Sequence, residues 1–287
     1  MTKTFDVGAL DPFALKSAYE TDGYFVLKNV FSADEIEALR AETVDICNGK
    51  RGDVIGANIV TADTETPEEA MQRVLAIHFP HKVSDIMRST LTQPTIVEAL
   101  QAIIGPDVKC MQSMLFLKNA GKPGQAWHQD EYYIPTRDMS LAGIWIALDD
   151  ARIDNGGLWM HPGSHKEQIL WPTHTHGDVR FDSSAEAHGF PYEREGGVSV
   201  DADAGDVVIF HGYVLHRSLN NTRKTGYRRA IVNHVMSARS LLPWSMGIPP
   251  TPRDDFRDFE MIWVFGAQKW HKDLLFALPG VRVLTTD

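Results

Sequence analysis

Cysteine is scarce in this chain, and long uninterrupted apolar runs are missing. With 2 cysteines in 287 residues, neither a disulfide framework nor a multi-cysteine zinc cluster can organise the fold. Cys47 and Cys110 lie far apart in apolar surroundings, where buried, reduced thiols and a cytoplasmic setting are expected. No segment reaches the roughly 18 apolar residues of a membrane span. The N-terminal Met-Thr-Lys-Thr-Phe-Asp lacks the basic stretch and apolar run of a secretory leader. A dense Lys/Arg block is absent as well. Together with a formal net charge of -10, that absence argues against nucleic acid or an anionic membrane as a partner. Internal repeats, low-complexity tracts and interdomain linkers are also missing. What is present is ordinary: 43% hydrophobic and 23% charged residues, sufficient for a sizeable core in a single domain over 1–287.

Residues 1–107 read mainly as helices. Ser32-Ala33-Asp34-Glu35 is a capping box, and Ile36, Leu39 and Ile46 recur at helical spacing until Asn48-Gly49, which predicts a helix over 33–47. Before it, Gly23 to Leu27 has the aromatic and β-branched content of a strand. Pro94 opens a second helix that carries Ile96, Val97, Leu100, Ile103 and Ile104 on one face and closes at Gly105-Pro106. Over 108–236 the pattern changes to short apolar runs between turns, at 108–118, 141–148, 157–161, 197–201, 206–211 and 228–236. These predict an all-β sandwich or barrel core. Asp154-Asn155-Gly156-Gly157 predicts a tight hairpin, because Asn and Gly tolerate positive φ. Residues 172–196, rich in His, Gly, Ser and charge, read as one long loop of a functional or mobile kind. Within the C-terminal extension, 237–287, the aromatics between charges from Phe256 to Trp270 read as a helix that covers a pocket or forms a dimer contact. A monomer or a homodimer is the expected state.

The chemistry concentrates in His128-Gln129-Asp130, followed far downstream by His216 and then Arg228. On an extended strand, His128 and Asp130 project from one side and can grip one metal ion. Two imidazoles and one carboxylate on one face of an octahedral ion leave other positions open, the arrangement used by non-haem Fe(II) oxygenases. His-x-Asp recurs at His176/Asp178 and His271/Asp273. The latter has no later histidine to complete a set and reads as surface. His174-Thr175-His176-Gly177-Asp178 is similar to the opening of the metallo-β-lactamase zinc motif, which would imply a metallo-hydrolase. Val179 stands where that motif continues with His, and the segment lies in a polar loop. His128 and Asp130 instead follow a strand at Met111 to Lys118, and Gly205-Asp206-Val207-Val208-Ile209-Phe210 leads a second strand toward His216.

Four segments in order, His128-Gln129-Asp130, Asn155-Gly156-Gly157-Leu158-Trp159, Pro162-Gly163-Ser164-His165 and Gly205-Asp206 to His216-Arg217-Ser218, resemble the phytanoyl-CoA dioxygenase-like (PhyH) family of Fe(II)/2-oxoglutarate-dependent oxygenases. The resemblance runs from Asp22-Gly23-Tyr24-Phe25-Val26 to about residue 236. It implies an all-β core with flanking helices, a double-stranded β-helix (jelly-roll, cupin-like). It further implies His128, Asp130 and His216 as iron ligands, and Arg228 as the anchor of the distal carboxylate of 2-oxoglutarate. Ser218 would add a hydrogen bond to that carboxylate. Met114 and Trp145 match positions lining the cosubstrate pocket, although plain core residues would look the same. Fe(II), 2-oxoglutarate and O2 are the implied cofactor and cosubstrates. Hydroxylation of an aliphatic C–H bond in a small molecule, with release of succinate and CO2, is the implied reaction.

Residue chemistry agrees in part. A guanidinium offers a planar fork that matches a carboxylate. Arg223 and Arg229 compete with Arg228 for this role, but Arg229 faces the opposite side of a strand. Tyr132, Tyr133 and Arg137 follow the metal motif closely and are substrate-side candidates. His78 and His81, in Ala-Ile-His-Phe-Pro-His-Lys, read as a pocket wall. His165 and His211 read as structural, and His161 has no assignment. The alternative is a cupin-type protein that binds metal or ligand without oxygenase activity, which would have no need of Arg228 with Ser218. The absence of a basic cluster disfavours a CoA ester as substrate.

Overall fold

The computed structural model describes residues 2–52, 54, 66–240 and 262–265. Its N-terminal part holds strand β1 (Thr4–Asp6), helix α1 (Pro12–Asp22), strand β2 (Tyr24–Lys28), helices α2 (Ala33–Cys47) and α3 (Pro67–Arg73), strand β3 (Ala76–His78), and helices α4 (Pro80–Val83), α5 (Asp85–Ser89) and α6 (Pro94–Ile103). The predicted capping box forms: Ser32 Oγ accepts from Glu35 N, and the Glu35 carboxylate accepts from Ser32 N at 2.7 Å. Each cap satisfies donors that a helix start leaves without partners.

Strands β4 (Val108–Asn119) and β5 (Gln125–His128) precede a single helical turn, α7 (Asp130–Tyr133). Then follow β6 (Ala142–Ala147), β7 (Leu158–Met160), β8 (Thr173–His174), β9 (Glu186–Ala187), β10 (Val198–Val200), β11 (Val207–His211), β12 (His216–Ser218), β13 (Tyr227–Ser237) and β14 (Ile262–Phe265). A major sheet runs β1-β2-β11-β6-β13-β4-β14, with β3 also paired to β4; a minor sheet runs β10-β7-β12-β5. These two layers are the jelly roll.

Alternation along the major sheet explains why its strands read as almost continuous apolar runs. One set of side chains, among them Phe25, Leu27, Leu115, Ile144, Ile146, Val207, Ile209 and Ile231, packs on Leu15, Ile36, Leu39, Ile96 and Leu100 of the helices. The alternate set, Tyr24, Val26, Trp145, Ala147, Val208, Phe210, Ala230 and Val232, meets Leu158, Met160 and Val200 of the minor sheet. Both faces are therefore buried. A cavity opens between the two sheets.

Three expectations are corrected. Asn155-Gly156-Gly157 makes no hairpin, because β6 pairs with β11 and β13 while β7 pairs with β10 and β12. The positive φ of Gly156, 84°, instead turns the chain from the major sheet to the minor one. Residues 172–196 are more than a loop: β8 pairs with β9, Gly124 bridges Phe181, and Trp127 Nε1 donates to Arg194 O at 2.7 Å. Ion pairs of Arg180 with Asp178 and of Arg194 with Glu186 fasten it further. In the C-terminal extension, Ile262–Phe265 is a strand on β4 rather than helix, as β-branched and aromatic residues favour. The rest of the 256–270 segment and His271/Asp273 lie outside the described residues. No helix among the described residues is long and apolar enough to cross a membrane.

Candidate metal centre and cosubstrate pocket

His128 ends β5, and His216 begins β12 directly opposite it in the antiparallel ladder. Backbone pairing thus brings together two side chains far apart in sequence. Asp130 does not lie on the strand as expected. Gln129 is still extended (φ -128°, ψ 128°), and Asp130 is the first residue of α7. One extended residue is enough to keep the two side chains on a common side. Gln129 points elsewhere and pins neighbouring segments: its Nε2 donates to Ile169 O and Tyr213 O, and its Oε1 accepts from Trp171 N.

Ligand atoms of buried His128, Asp130 and His216 lie within 4.8 Å of one another, and among the described residues no other such group forms. Asp130 Oδ1 is 3.6 Å from His128 Nε2 and 3.5 Å from His216 Nε2. His128 Nδ1 lies 2.8 Å from Ala126 O, and His216 Nδ1 lies 3.0 Å from Val214 O. A carbonyl only accepts, so each Nδ1 carries the proton and each Nε2 presents a lone pair. Burial, then His216, pushes the His128 imidazole down to about 3. Burial alone would raise the Asp130 carboxyl, but His216, His234 and His128 hold it well below the usual carboxylate range. A neutral imidazole and an ionised carboxylate are the forms that bind metal. The donor set therefore fits a divalent iron ion.

This group lines a cavity whose other walls include Met114, Phe116, Trp145, Leu158, Phe210 and Val232 with Ser218, Arg228 and His234. Arg228 is 3% exposed. Its Nε donates to Gly156 O at 3.1 Å, its guanidinium lies 5.7 Å from the Trp145 ring, and its terminal nitrogens have no hydrogen bond among the described residues. The competing arginines are occupied. Arg229 makes two 2.8 Å bonds to Asp149, and Arg223 makes two 2.8 Å bonds to Asp154.

Lys118, also 3% exposed, stands opposite Arg228 in the β4–β13 register. Its Nζ donates to Ser218 Oγ at 2.8 Å and to Leu219 O at 2.6 Å, and reaches Gly156 O at 3.5 Å. Gln125 N also donates to Ser218 Oγ, at 3.3 Å. With its oxygen engaged twice, Ser218 keeps its proton to donate. Burial, then Arg228, lowers the Lys118 ammonium well below its ordinary range; burial also pushes Arg228 down to about 10. Among the described residues neither cation has a carboxylate partner. Burial penalises the charged form of each, so both groups favour an incoming anion.

The remaining candidates lie outside the cavity lining. His78 is half-buried, with Nδ1 2.9 Å from Gln112 Nε2. Tyr133 lies with its ring 6.3 Å from that of His128, and Tyr132 accepts a hydrogen bond from Thr173 Oγ1 at 3.0 Å. Arg137 is exposed. None of these four lines the cavity among the described residues. The metallo-hydrolase alternative fails. Asp178 is bound by Arg180 and Arg194, and His174 approaches Glu186 rather than joining His176 and Asp178 in a metal-holding group. His161 acquires a place, stacked between Trp127 and Tyr192. His211 Nδ1 accepts from Tyr213 N and His165 Nε2 donates to Glu20 O, both structural contacts. Sequence reasoning missed Lys118 and His234. Even spacing offered a signal for both, four residues after Met114 on β4 and six after Arg228 on β13.

Two imidazoles, one carboxylate and a buried cation in a jelly roll define the class of non-haem iron oxygenases that use an oxo-acid cosubstrate. Residues 19–230 match the family described as Phytanoyl-CoA dioxygenase (PhyH), and the chain belongs to that family. It is 28% identical over 273 residues to Phytanoyl-CoA dioxygenase 1 of Oryza sativa subsp. japonica, covering 82% of this chain and 94% of that protein. It is 26% identical over 249 residues to Ectoine dioxygenase of Bordetella bronchiseptica, covering 82% of this chain and 79% of that one. Among solved structures, the epimerase SnoN in complex with Fe3+, alpha ketoglutarate and nogalamycin RO shares the fold. The TM-score is 0.61 at 21% identity, over 84% of this chain and 92% of that one. The chain is a dioxygenase dependent on Fe(II), 2-oxoglutarate and O2.

Proposed function

We propose that this dioxygenase hydroxylates an aliphatic C–H bond of a small molecule, converting 2-oxoglutarate to succinate and CO2. The observation that carries this is one cavity lined by the His128–Asp130–His216 group and by a buried Arg228 whose terminal nitrogens are free among the described residues. His128, Asp130 and His216 hold the iron. Arg228 binds the distal carboxylate of 2-oxoglutarate through its fork, Ser218 donates its hydroxyl proton to the same group, and Lys118 steadies Ser218 and adds positive charge. Met114 and Trp145 wall the cosubstrate and, with Phe116 and Phe210, keep bulk water out. The iron with its cosubstrates supplies the oxidising power, and the protein supplies position and dryness.

Substrate contacts fall to His78, Tyr132, Tyr133 and Arg137, whose polar tips orient a ligand and whose aromatic surface gives contact area. Relatives named for phytanoyl-CoA and for ectoine differ widely in what their names describe, so the small molecule is sought by screening. A reducing, cytoplasmic setting suits Cys47 and Cys110, both buried free thiols that burial pushes up to about 12. The test is succinate release across amino acids, acyl-CoAs and small hydrophobic acids, with mass detection of a product gaining one oxygen. His128→Ala and Asp130→Ala should abolish substrate-dependent succinate formation; unchanged turnover of either variant in an iron-replete assay sinks the assignment.

A further inference from the structure

Asp130 is held from two sides. Its Oδ1 faces His128 and His216, at 3.6 and 3.5 Å, while its Oδ2 accepts a hydrogen bond from His234 Nε2 at 3.0 Å. His234 is 4% exposed and sits on β13, paired with Gln112 of β4 on one side and Gly143 of β6 on the other. The main chain that carries it is therefore fixed by both neighbours. His234 does not join the ligand group, which among the described residues comprises His128, Asp130 and His216. Its geometry is that of a partner to a ligand.

A carboxylate by itself does not choose which oxygen meets a cation. The terminal torsion of Asp is broad and roughly two-fold, so both oxygens can take the inner position or chelate together. A donor fixed on one oxygen removes that freedom and leaves the other to face the ion. Nε2 carries the proton it donates, and Nδ1 has no hydrogen-bond partner among the described residues. The His234 ring is thus anchored through its contact with Asp130.

We propose that His234 is a positioning residue that holds Asp130 in a one-oxygen mode, Oδ1 toward the metal, and so keeps positions on the ion open for cosubstrates. It acts through Asp130 and does not touch the ion. The role rests on the iron site proposed above.

The test uses the full chain, stripped of metal, as wild type, His234→Ala, His234→Gln and His128→Ala. Co(II) is titrated by its visible absorption, Fe(II) is measured by competition, and the thermal midpoint of each metal-free protein is recorded. His234→Ala should weaken both metals by about 10–100-fold, as loss of a hydrogen-bond partner to a metal ligand does, and should alter the Co(II) spectrum. Glutamine places an amide N–H near the position of Nε2, so His234→Gln should restore most of the affinity and the spectrum. Metal-free midpoints should stay close to wild type. His234→Ala binding metal as wild type does, or His234→Gln failing as badly as alanine, overturns the proposal; so does a loss of affinity that merely follows a fall in the midpoint. Co(II) binding that His128→Ala leaves unweakened sinks the iron site itself and this role with it. Binding sensitive to His128→Ala but indifferent to His234→Ala sinks this role alone.

Discussion

Truncating Arg228 should separate cosubstrate binding from metal binding. Among the described residues the guanidinium has one hydrogen bond, Nε to Gly156 O at 3.1 Å, and its terminal nitrogens are left for a ligand. A carboxylate seated there gains two charge-assisted bonds in a buried site, each worth about 1.5–3 kcal/mol. Taking the lower end for both, Arg228→Ala loses about 3 kcal/mol, or roughly 150-fold in 2-oxoglutarate affinity. Iron affinity should change little, since Arg228 makes no contact with His128, Asp130 or His216 among the described residues. The assay is anaerobic titration of the Fe(II) protein with 2-oxoglutarate, followed by the weak visible charge-transfer band, beside direct iron analysis. A 2-oxo acid lacking the distal carboxylate supplies the second arm of a cycle: it should bind wild type and Arg228→Ala about equally. A loss below about 5-fold would leave less than about 1 kcal/mol for the contact and refute the reasoning. The same effect from Arg223→Ala would refute it too, because Arg223 is paired with Asp154 on the surface.

Acid should destabilise the fold through two histidines, partly offset by Glu131, whose carboxyl is pushed up to about 7 by burial. Burial, then Arg217 for His161 and His165 for His211, pushes these imidazoles down to about 4. The unfolded chain takes up their protons near the ordinary value of about 6.5, so it binds more protons between these limits. Their stabilising contribution is present above about pH 6.5 and is lost toward pH 4, at about 1.4 kcal/mol per pH unit per histidine. Urea midpoints at pH 7 and pH 5 should show it, and a variant lacking both histidines that loses stability as steeply as wild type would contradict it. Gly156→Ala should cost at least about 2 kcal/mol, because φ is 84° and a Cβ would lie 2.5 Å from Leu219 O. It should also weaken 2-oxoglutarate binding, since Gly156 O accepts from Arg228. Gly121→Ala, with φ 79° and nothing within 4 Å of a Cβ, is the control that isolates the backbone cost; equal urea midpoints for the two variants would exclude the clash.

Much of the fold was legible because its signals are local. Ser32 and Glu35 cap α2 as their spacing predicts, and the runs at 108–118, 141–148, 206–211 and 228–236 became β4, β6, β11 and β13. The clustering of His128, Asp130 and His216 was legible in the sequence, and alternation assigned Arg228 and Arg229 to opposite faces. Where expectation failed, partners decided. Asn155-Gly156-Gly157 has the residues of a hairpin, yet the strands flanking it belong to different sheets, a choice made by long-range pairing. Lys118 and His234 look like surface residues until β4 and β13 turn them inward. The 172–196 segment reads as polar loop because it is held by ion pairs among Arg180, Arg194, Asp178 and Glu186 rather than by an apolar pattern.

The cross-strand pairing of His128 with His216 has a consequence for how such a protein can change. The distance between these two imidazoles is set by hydrogen bonds between β5 and β12 and not by the length of chain joining them. Insertions and deletions in the intervening 172–196 segment need only preserve the contacts that fasten it, such as Trp127 to Arg194 O. The segment also touches two exposed tyrosines, Thr173 Oγ1 donating to Tyr132 Oη and Tyr133 Oη to Ala185 O, and these contacts can be rebuilt while His128 and His216 keep their places. Swapping that segment between relatives should therefore leave the cross-strand spacing of His128 and His216 intact.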